Sequence, residues 1–313
     1  MAQATIDPAP LSLASLRGDP RRLRKEAAIR AIFFSFAALS IVISALIVFS
    51  LVREAWTFVT QVERAQLFTD GWFPRRGDYD IRTIFVGSLL VTFIAMLVAA
   101  PLGMGAAVYL SEYASPRVRK VLKPILEILA GIPSVVLGFF ALTFISPELV
   151  RRFFDSATTF NIAAAGIGVG LLTIPLIASI AEDAMRSVPL ALREASYGMG
   201  ARKVTTAVRV VIPAAVSGLV AAFIIAVSRA IGETMVVLIA AGATGGALFS
   251  ADLLSPGQTM TAAMASQASG TDQVRGAGLT FQSLFFVGTL LFLITLTLNL
   301  FADRFVRRVR QRY

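Results

Sequence analysis

The sequence predicts an all-α fold: a polytopic membrane protein with six transmembrane helices. Three observations lead there. Of 313 residues, 56% are hydrophobic and only 15% charged, and mean hydropathy is +0.75, too apolar for an ordinary soluble globule. Six apolar runs recur along the chain, each at least about 18–20 residues and so long enough to cross a hydrocarbon core of about 30 Å. Finally, Lys and Arg gather in the tails and in alternate loops, the signature of membrane topology.

Residues 1–30 form a polar, basic tail with Arg17, Arg21, Arg22, Arg24, Lys25 and Arg30. The first span, about 31–52, exceeds the roughly 7–15 apolar residues of a secretory signal and leads into Arg53-Glu54-Ala55-Trp56, so it reads as a retained helix. The loop 53–82 balances 5 basic with 5 acidic residues and contains Gly71-Trp72-Phe73-Pro74. A core follows over 83–302, with spans at about 83–110, 122–145, 161–181, 214–241 and 283–302. The third is the least regular, because Glu127 and Pro133 interrupt it. Glu127 is expected to pair with Lys123 one turn earlier, the alternative being that it lines an inner vestibule. Gly131, Pro133 and Gly138 are expected to bend or thin a helix at a crossing. The loop 242–282 is rich in Gly, Ser, Ala and Thr, and residues 303–313 form a basic tail. The loops 53–82 and 242–282 read as a docking surface or an external gate.

The N-terminal tail, the 111–123 loop, the 182–213 loop and the C-terminal tail hold 6, 4, 5 and 5 basic residues. The opposite loops hold 5, 2 and 1, which places both termini in the cytoplasm. Spreading the net charge of +10 over these loops argues against nucleic acid as a partner. With no Cys and no His, disulfides, Cys/His metal sites, Cys nucleophiles and His general bases are excluded.

The remaining basic residue, Arg229, lies inside the fifth span, four residues before Glu233. A charge at the bilayer centre costs at least about 2.5–3.5 kcal/mol, so such residues face a protein interior or a water-filled path. On a continuous helix this spacing brings the two side chains together on one face. They are the candidate solute-pathway residues. The competing reading is a static salt bridge between helices.

The loop 182–213 is long for a connection. Ser187 can cap a short helix with Pro189 in its first turn. Gly198 and Gly200 permit a sharp break, and a second helical piece over 201–211 stops near Pro213. Such a short helix across the membrane face suits a groove in a partner; a solvated amphipathic loop is the plainer reading.

The residues Glu194-Ala195-Ser196, then Gly200, then Val210-Val211-Ile212-Pro213 resemble the EAA motif of ABC-importer permeases, with Ser in the third position. Arg229-Ala230-Ile231-Gly232-Glu233 resembles the signature of oxyanion importers, and Thr234-Met235 resembles the phosphate type, specifically the C-type permease of the Pst family. Ala130-Gly131-Ile132-Pro133-Ser134-Val135-Val136-Leu137-Gly138, Gln258-Thr259-Met260-Thr261-Ala262, Leu284-Phe285-Phe286-Val287-Gly288 and Asn299-Leu300 are similar to further segments of that family. The resemblance covers about residues 80–313.

It implies a type I ABC-importer permease fold in a bacterial cytoplasmic membrane. The chain would form half of a heterodimeric pore with an A-type phosphate permease subunit. A dimer of ATPase subunits would bind ATP and Mg below it, and an extracytoplasmic phosphate-binding protein would dock above. Arg193, Glu194, Ala195, Ser196, Gly200 and Pro213 would belong to the ATPase-coupling segment. Arg229 would contact the passing anion and Glu233 would balance Arg229 in the empty pore. This chain lacks a Gly-rich phosphate loop ending in Gly-Lys-Ser/Thr, so it is expected to be no enzyme and to hold no cofactor. The alternatives are a sulfate or molybdate permease, or an anion channel or secondary transporter that works without an ATPase.

Overall fold

A computed structural model describes residues 20–242, 245–269 and 279–309. Two compact units divide the chain, Met1–Ser50 and Leu51–Tyr313. Among the described residues, the first unit consists of the beginning of helix α1 (Pro20–Gln61). Phe33, Phe34, Phe36, Ile41 and Phe49 along it are all exposed. A helix that is apolar on every side suits a lipid environment.

In the second unit, α1 ends and strands β1 (Gly71–Phe73) and β2 (Asp78–Tyr79) follow. Helix α2 (Ile81–Val108) starts where the Asp80 carboxylate accepts from the Arg82 N–H, and it ends in a wide π turn, Tyr109–Tyr113. Next come α3 (Pro116–Ala130), α4 (Ser134–Phe140), a π segment Ala141–Val150 and α5 (Arg151–Phe153). Helix α6 (Ile162–Arg186) precedes the short α7 (Leu190–Gly198). The chain continues through α8 (Lys203–Thr206), a π turn, α9 (Ile212–Ala214), α10 (Val216–Ile231) and α11 (Met235–Ala240). Strand β3 (Ala247–Leu248), α12 (Met260–Ala268) and α13 (Thr280–Val309) complete it. Among the described residues, five helical stretches are long and apolar enough to cross a membrane, and six if the bent pair Lys203–Ala214 and Val216–Ile231, at 72°, is one span.

Two expected spans are corrected. The third runs over Ser134–Phe153 rather than 122–145. Residues 116–130 form a separate amphipathic helix carrying Arg117, Arg119, Lys120, Lys123 and Glu127, too many charges for hydrocarbon. Pro133 has no N–H to continue that helix, so the chain turns at Gly131–Pro133. The fifth span is broken at Gly232–Thr234 instead of continuous over 214–241.

Parallel packing of α2 on α6 organises the core. A Cβ at Gly166 would lie 2.6 Å from Ile94 Cβ, one at Gly170 3.0 Å from the Ala95 carbonyl oxygen, and one at Gly103 2.8 Å from Ile177 Cβ. The paired positions rise together along both helices, which defines the parallel sense. Small residues substitute here for a hydrophobic drive, because lipid tails are as apolar as Leu. Gly168, between them in sequence, faces the other way, toward Ala141 and Val236. Thus α6 is gripped from two sides and is more buried than the other four unbent spans among the described residues.

The two loops read as external meet in one antiparallel sheet of order β2-β1-β3, with Trp72 opposite both Tyr79 and Ala247. Trp72 is buried with Phe58, Tyr79, Ile84, Met260 and Val287. The sheet lies at the start of α2. Glu112 and α3 lie at its other end, about 40 Å away at 1.5 Å per residue over the 28 residues of the helix.

Candidate functional site

The break between α10 and α11 holds both charged residues singled out from the sequence. Arg229 occupies the last turn of α10 and is exposed; Glu233 lies in the break and is half-buried. The expected Arg229–Glu233 pairing is not formed: among the described residues no ion pair within 4 Å involves either side chain. The physical reason is the break itself, which removes the continuous helix that the four-residue spacing presupposes. The Glu233 carboxylate instead accepts from the Val236 N–H at 3.4 Å, at the start of α11. Its carbonyl oxygen accepts from Thr261 Oγ1 at 2.7 Å, and Thr234 Oγ1 donates to the Gly232 carbonyl. An unpaired backbone group in a bilayer costs several kcal/mol, so a broken helix persists where side chains satisfy its freed groups.

Thr261 reaches the break because α12 tucks against α2. The Met260 N–H donates to Ser88 Oγ at 2.9 Å, and Gly87 leaves room for the Gln258 carbonyl, which a Cβ would approach to 2.3 Å. From the other side comes α4, where a Cβ at Gly138 would be 3.0 Å from Ile239 and 3.1 Å from the Met235 carbonyl oxygen. The expectation that Gly138 thins a crossing and that Gly131 and Pro133 bend the chain therefore holds. Ser228 Oγ donates to Asn299 Oδ1 of α13 at 3.3 Å. Four sequence motifs that are far apart in the chain thus converge on one helix break.

The second region is α7, on which Glu194, Ala195 and Tyr197 are exposed and Met199, its cap, is 88% exposed. Its start differs from expectation: Ser187 closes α6, donating to the Ala184 carbonyl, and Pro189 precedes the first turn of α7. The end is a Schellman turn. Gly200, at φ +77°, donates to the Tyr197 carbonyl and Ala201 to that of Ser196. Gly198 stays helical. Ser196 Oγ lies 2.8 Å from Thr206 Oγ1, tying α7 to α8. Pro213 is exposed in α9, just before the bend at Ala215. There a Cβ at Gly218 would lie 2.5 Å from Ala184 Cβ, so α10 crosses α6 closely.

Arg193 points inward, away from the Glu194–Ala195 surface. Nη1 donates to the Val188 carbonyl at 2.7 Å, and Nη2 donates to the Met185 carbonyl at 2.9 Å and to Glu112 Oε1 at 3.0 Å. On α6, the fully buried Glu182 is 2.6 Å from Arg119 and 2.9 Å from Lys123, both on α3. Lys123 also donates to Asp183 at 2.8 Å. The expected Lys123–Glu127 pair is therefore replaced, and Glu127 is exposed. Burial alone would lower the Lys123 pKa, but hydrogen bonds and charge from Asp183 and Glu182 outweigh it and raise it above 10.5. Glu112, Glu182 and Thr261 were missed as site residues. Each looks ordinary in sequence, a charge near a loop or a threonine in a small-residue run.

Residues 99–313 match the family described as "Binding-protein-dependent transport system inner membrane component". The chain belongs to that family. The permease is 39% identical over 175 residues to the probable ABC transporter permease protein YqgH of Bacillus subtilis (strain 168), covering 55% of this chain and 56% of that protein. It is 30% identical to the phosphate transport system permease protein PstC of Mesorhizobium japonicum, covering 88% of each. It is 28% identical to PstC of Pasteurella multocida, covering 88% of this chain and 90% of that protein. Among solved structures, a bacterial alginate ABC transporter in complex with an alginate pentasaccharide-bound periplasmic protein aligns with TM-score 0.66 at 15% identity, covering 93% of this chain and 98% of that one. Inward-facing MetNI methionine ABC transporter aligns with TM-score 0.52 at 21% identity, covering 72% and 92%. These two likenesses speak for the fold.

Proposed function

We propose that the chain is the permease subunit of an ATP-driven phosphate importer, paired with a sibling permease in one pore. An ATPase dimer binds ATP and Mg on the cytoplasmic side, where both termini lie. An extracytoplasmic phosphate-binding protein delivers solute to the sheet side. The observation that carries this reading is α7, a short helix displayed away from the core with Glu194 and Ala195 outward and Arg193 anchoring it from behind. Its sequence is a close variant of the EAA motif, and relatives named as phosphate permeases extend over most of the chain.

Arg229 and Glu233 then act separately along the solute path. Arg is always ionised and donates in a fork that matches phosphate oxygens, so Arg229 is the residue to contact the desolvated anion. Glu233 shapes the break that presents it, and its negative charge limits how tightly an anion is held, since passage requires release. The reading is tested by uptake of labelled phosphate into vesicles holding the full complex, with sulfate and molybdate as competitors. Arg229→Lys and Glu233→Gln variants that assemble normally are expected to lose uptake. Undiminished uptake in both removes the pathway assignment, and uptake of labelled sulfate or molybdate but not of labelled phosphate reassigns the solute.

A further inference from the structure

We propose that Arg193 and Glu112 are the positioning pair that delivers movement of α7 to the ends of α2 and α6 at once. This rests on α7 being the ATPase-docking helix.

The geometry singles out this pair. Arg193 is the side chain of α7 that hydrogen-bonds to two other segments at the same time: the Met185 and Val188 carbonyls where α6 ends, and Glu112 beyond the end of α2. The Arg193 side chain is 14% exposed and that of Glu112 4%, so the contact is little screened by water or salt. Glu112 is fixed in turn by Ser111 Oγ at 2.7 Å. It belongs to the π turn Tyr109–Tyr113, an irregular helical geometry frequent at functional sites. Arginine suits the task because its planar fork can serve three acceptors in fixed directions, whereas a lysine ammonium is a point donor on a flexible stem.

The receiving elements are also built to move together. Glycines 103, 166 and 170 put α2 and α6 in close parallel contact along their length. A pull applied where both helices end is therefore shared by the pair and carried toward the break, since Gly168 of α6 packs on Val236 of α11. The Leu192, Val188 and Val211 packing beneath α7 is apolar and non-directional. It can hold the helix down, but it does not specify which elements follow it.

The test uses the complete transporter in lipid vesicles. Arg193→Gln, Glu112→Gln, the double variant and Arg193→Lys are compared for retention of the ATPase and for phosphate carried per ATP hydrolysed. Each Gln variant is expected to keep the ATPase while the ratio falls at least about tenfold, the scale of one lost charged hydrogen bond. The double variant should be no worse than Arg193→Gln alone, because Glu112 acts through Arg193. Arg193→Lys should fall between. The chain has no cysteine, so spin labels at engineered cysteines replacing the exposed Tyr197 on α7 and Leu102 on α2 can be placed cleanly. Nucleotide should change their separation little in the wild type and more in the Gln variants. Ratios within about twofold of wild type, effects that multiply in the double variant, or loss of the ATPase by Arg193→Gln alone would overturn the proposal. A wild-type complex that retains no ATPase or imports no phosphate instead removes the functional reading beneath it.

Discussion

Replacing Glu182 by Gln should undock α3 from α6 without unfolding the bundle. Glu182 is fully buried and its two oxygens meet Arg119 at 2.6 Å and Lys123 at 2.9 Å, with Arg186 at 4.0 Å. Stripping one partner from a fully buried pair costs about 3–5 kcal/mol. Here Arg119 and Lys123 are each one-quarter exposed, so they can turn partly to water and the full figure does not apply. Lys123 also keeps Asp183, but that carboxylate is 63% exposed and such a contact is worth about 0.2–1 kcal/mol. The balance is a loss of about 2–3 kcal/mol, in the range of a charged hydrogen bond. Since α3 has no buried side chain in this chain, the loss falls on its docking equilibrium rather than on the core. At 1.4 kcal/mol per tenfold, amide exchange over residues 116–130 should speed up roughly 30- to 150-fold. Exchange within about threefold of wild type, or acceleration spread evenly over α2, α6 and α10, would refute the reasoning.

The same clamp has a pH dependence with a definite sign. Because folding raises the Lys123 pKa, its contribution is complete below 10.5 and is lost as pH rises through the elevated value. The separation of spin labels on α3 and α6 should therefore be constant through neutral pH and widen only in strong alkali. Widening between pH 6 and 9 would contradict it. Gly200→Ala places a Cβ in open space but at φ +77°, so it costs only the backbone term of about 1–2 kcal/mol. Exchange in α7 should rise while the thermal midpoint of the purified chain barely moves. Gly166→Ala, whose Cβ would meet Ile94 Cβ at 2.6 Å, should lower that midpoint by overpacking worth about 1–3 kcal/mol. An unchanged midpoint would mean that α2 and α6 separate freely. Thr261→Val leaves the Glu233 carbonyl without its hydroxyl donor and should reduce phosphate uptake more than it reduces stability. Equal losses in both would make Thr261 a packing residue.

The particular elements show where sequence suffices. Apolar length and basic-residue distribution marked the first, second, fourth and last spans, because the bilayer imposes a minimum length and excludes charge whatever the neighbours are. The break near Gly200 and the bend near Pro213 were legible for a local reason: a left-handed turn and a missing N–H belong to single residues. The fifth span misled because Arg229 and Glu233 read as charges on one continuous helix. Whether that helix breaks depends on Thr261 being available, 28 residues later, to satisfy the freed Glu233 carbonyl. The third span misled for the same kind of reason, since the charges of α3 find their partners on Glu182 and Asp183 about 60 residues away.

Sequence alone therefore determined what the solvent decides: a membrane chain, its apolar spans, and an unusual polar segment outside them. Tertiary structure decided what depends on partners distant in the chain. It turned Arg193 inward onto Glu112, buried Glu182 between two cations, and separated Arg229 from Glu233. Burial of a charge or of a freed backbone group is tolerable only where a specific distant atom meets it, and neither local propensity nor spacing can supply that atom.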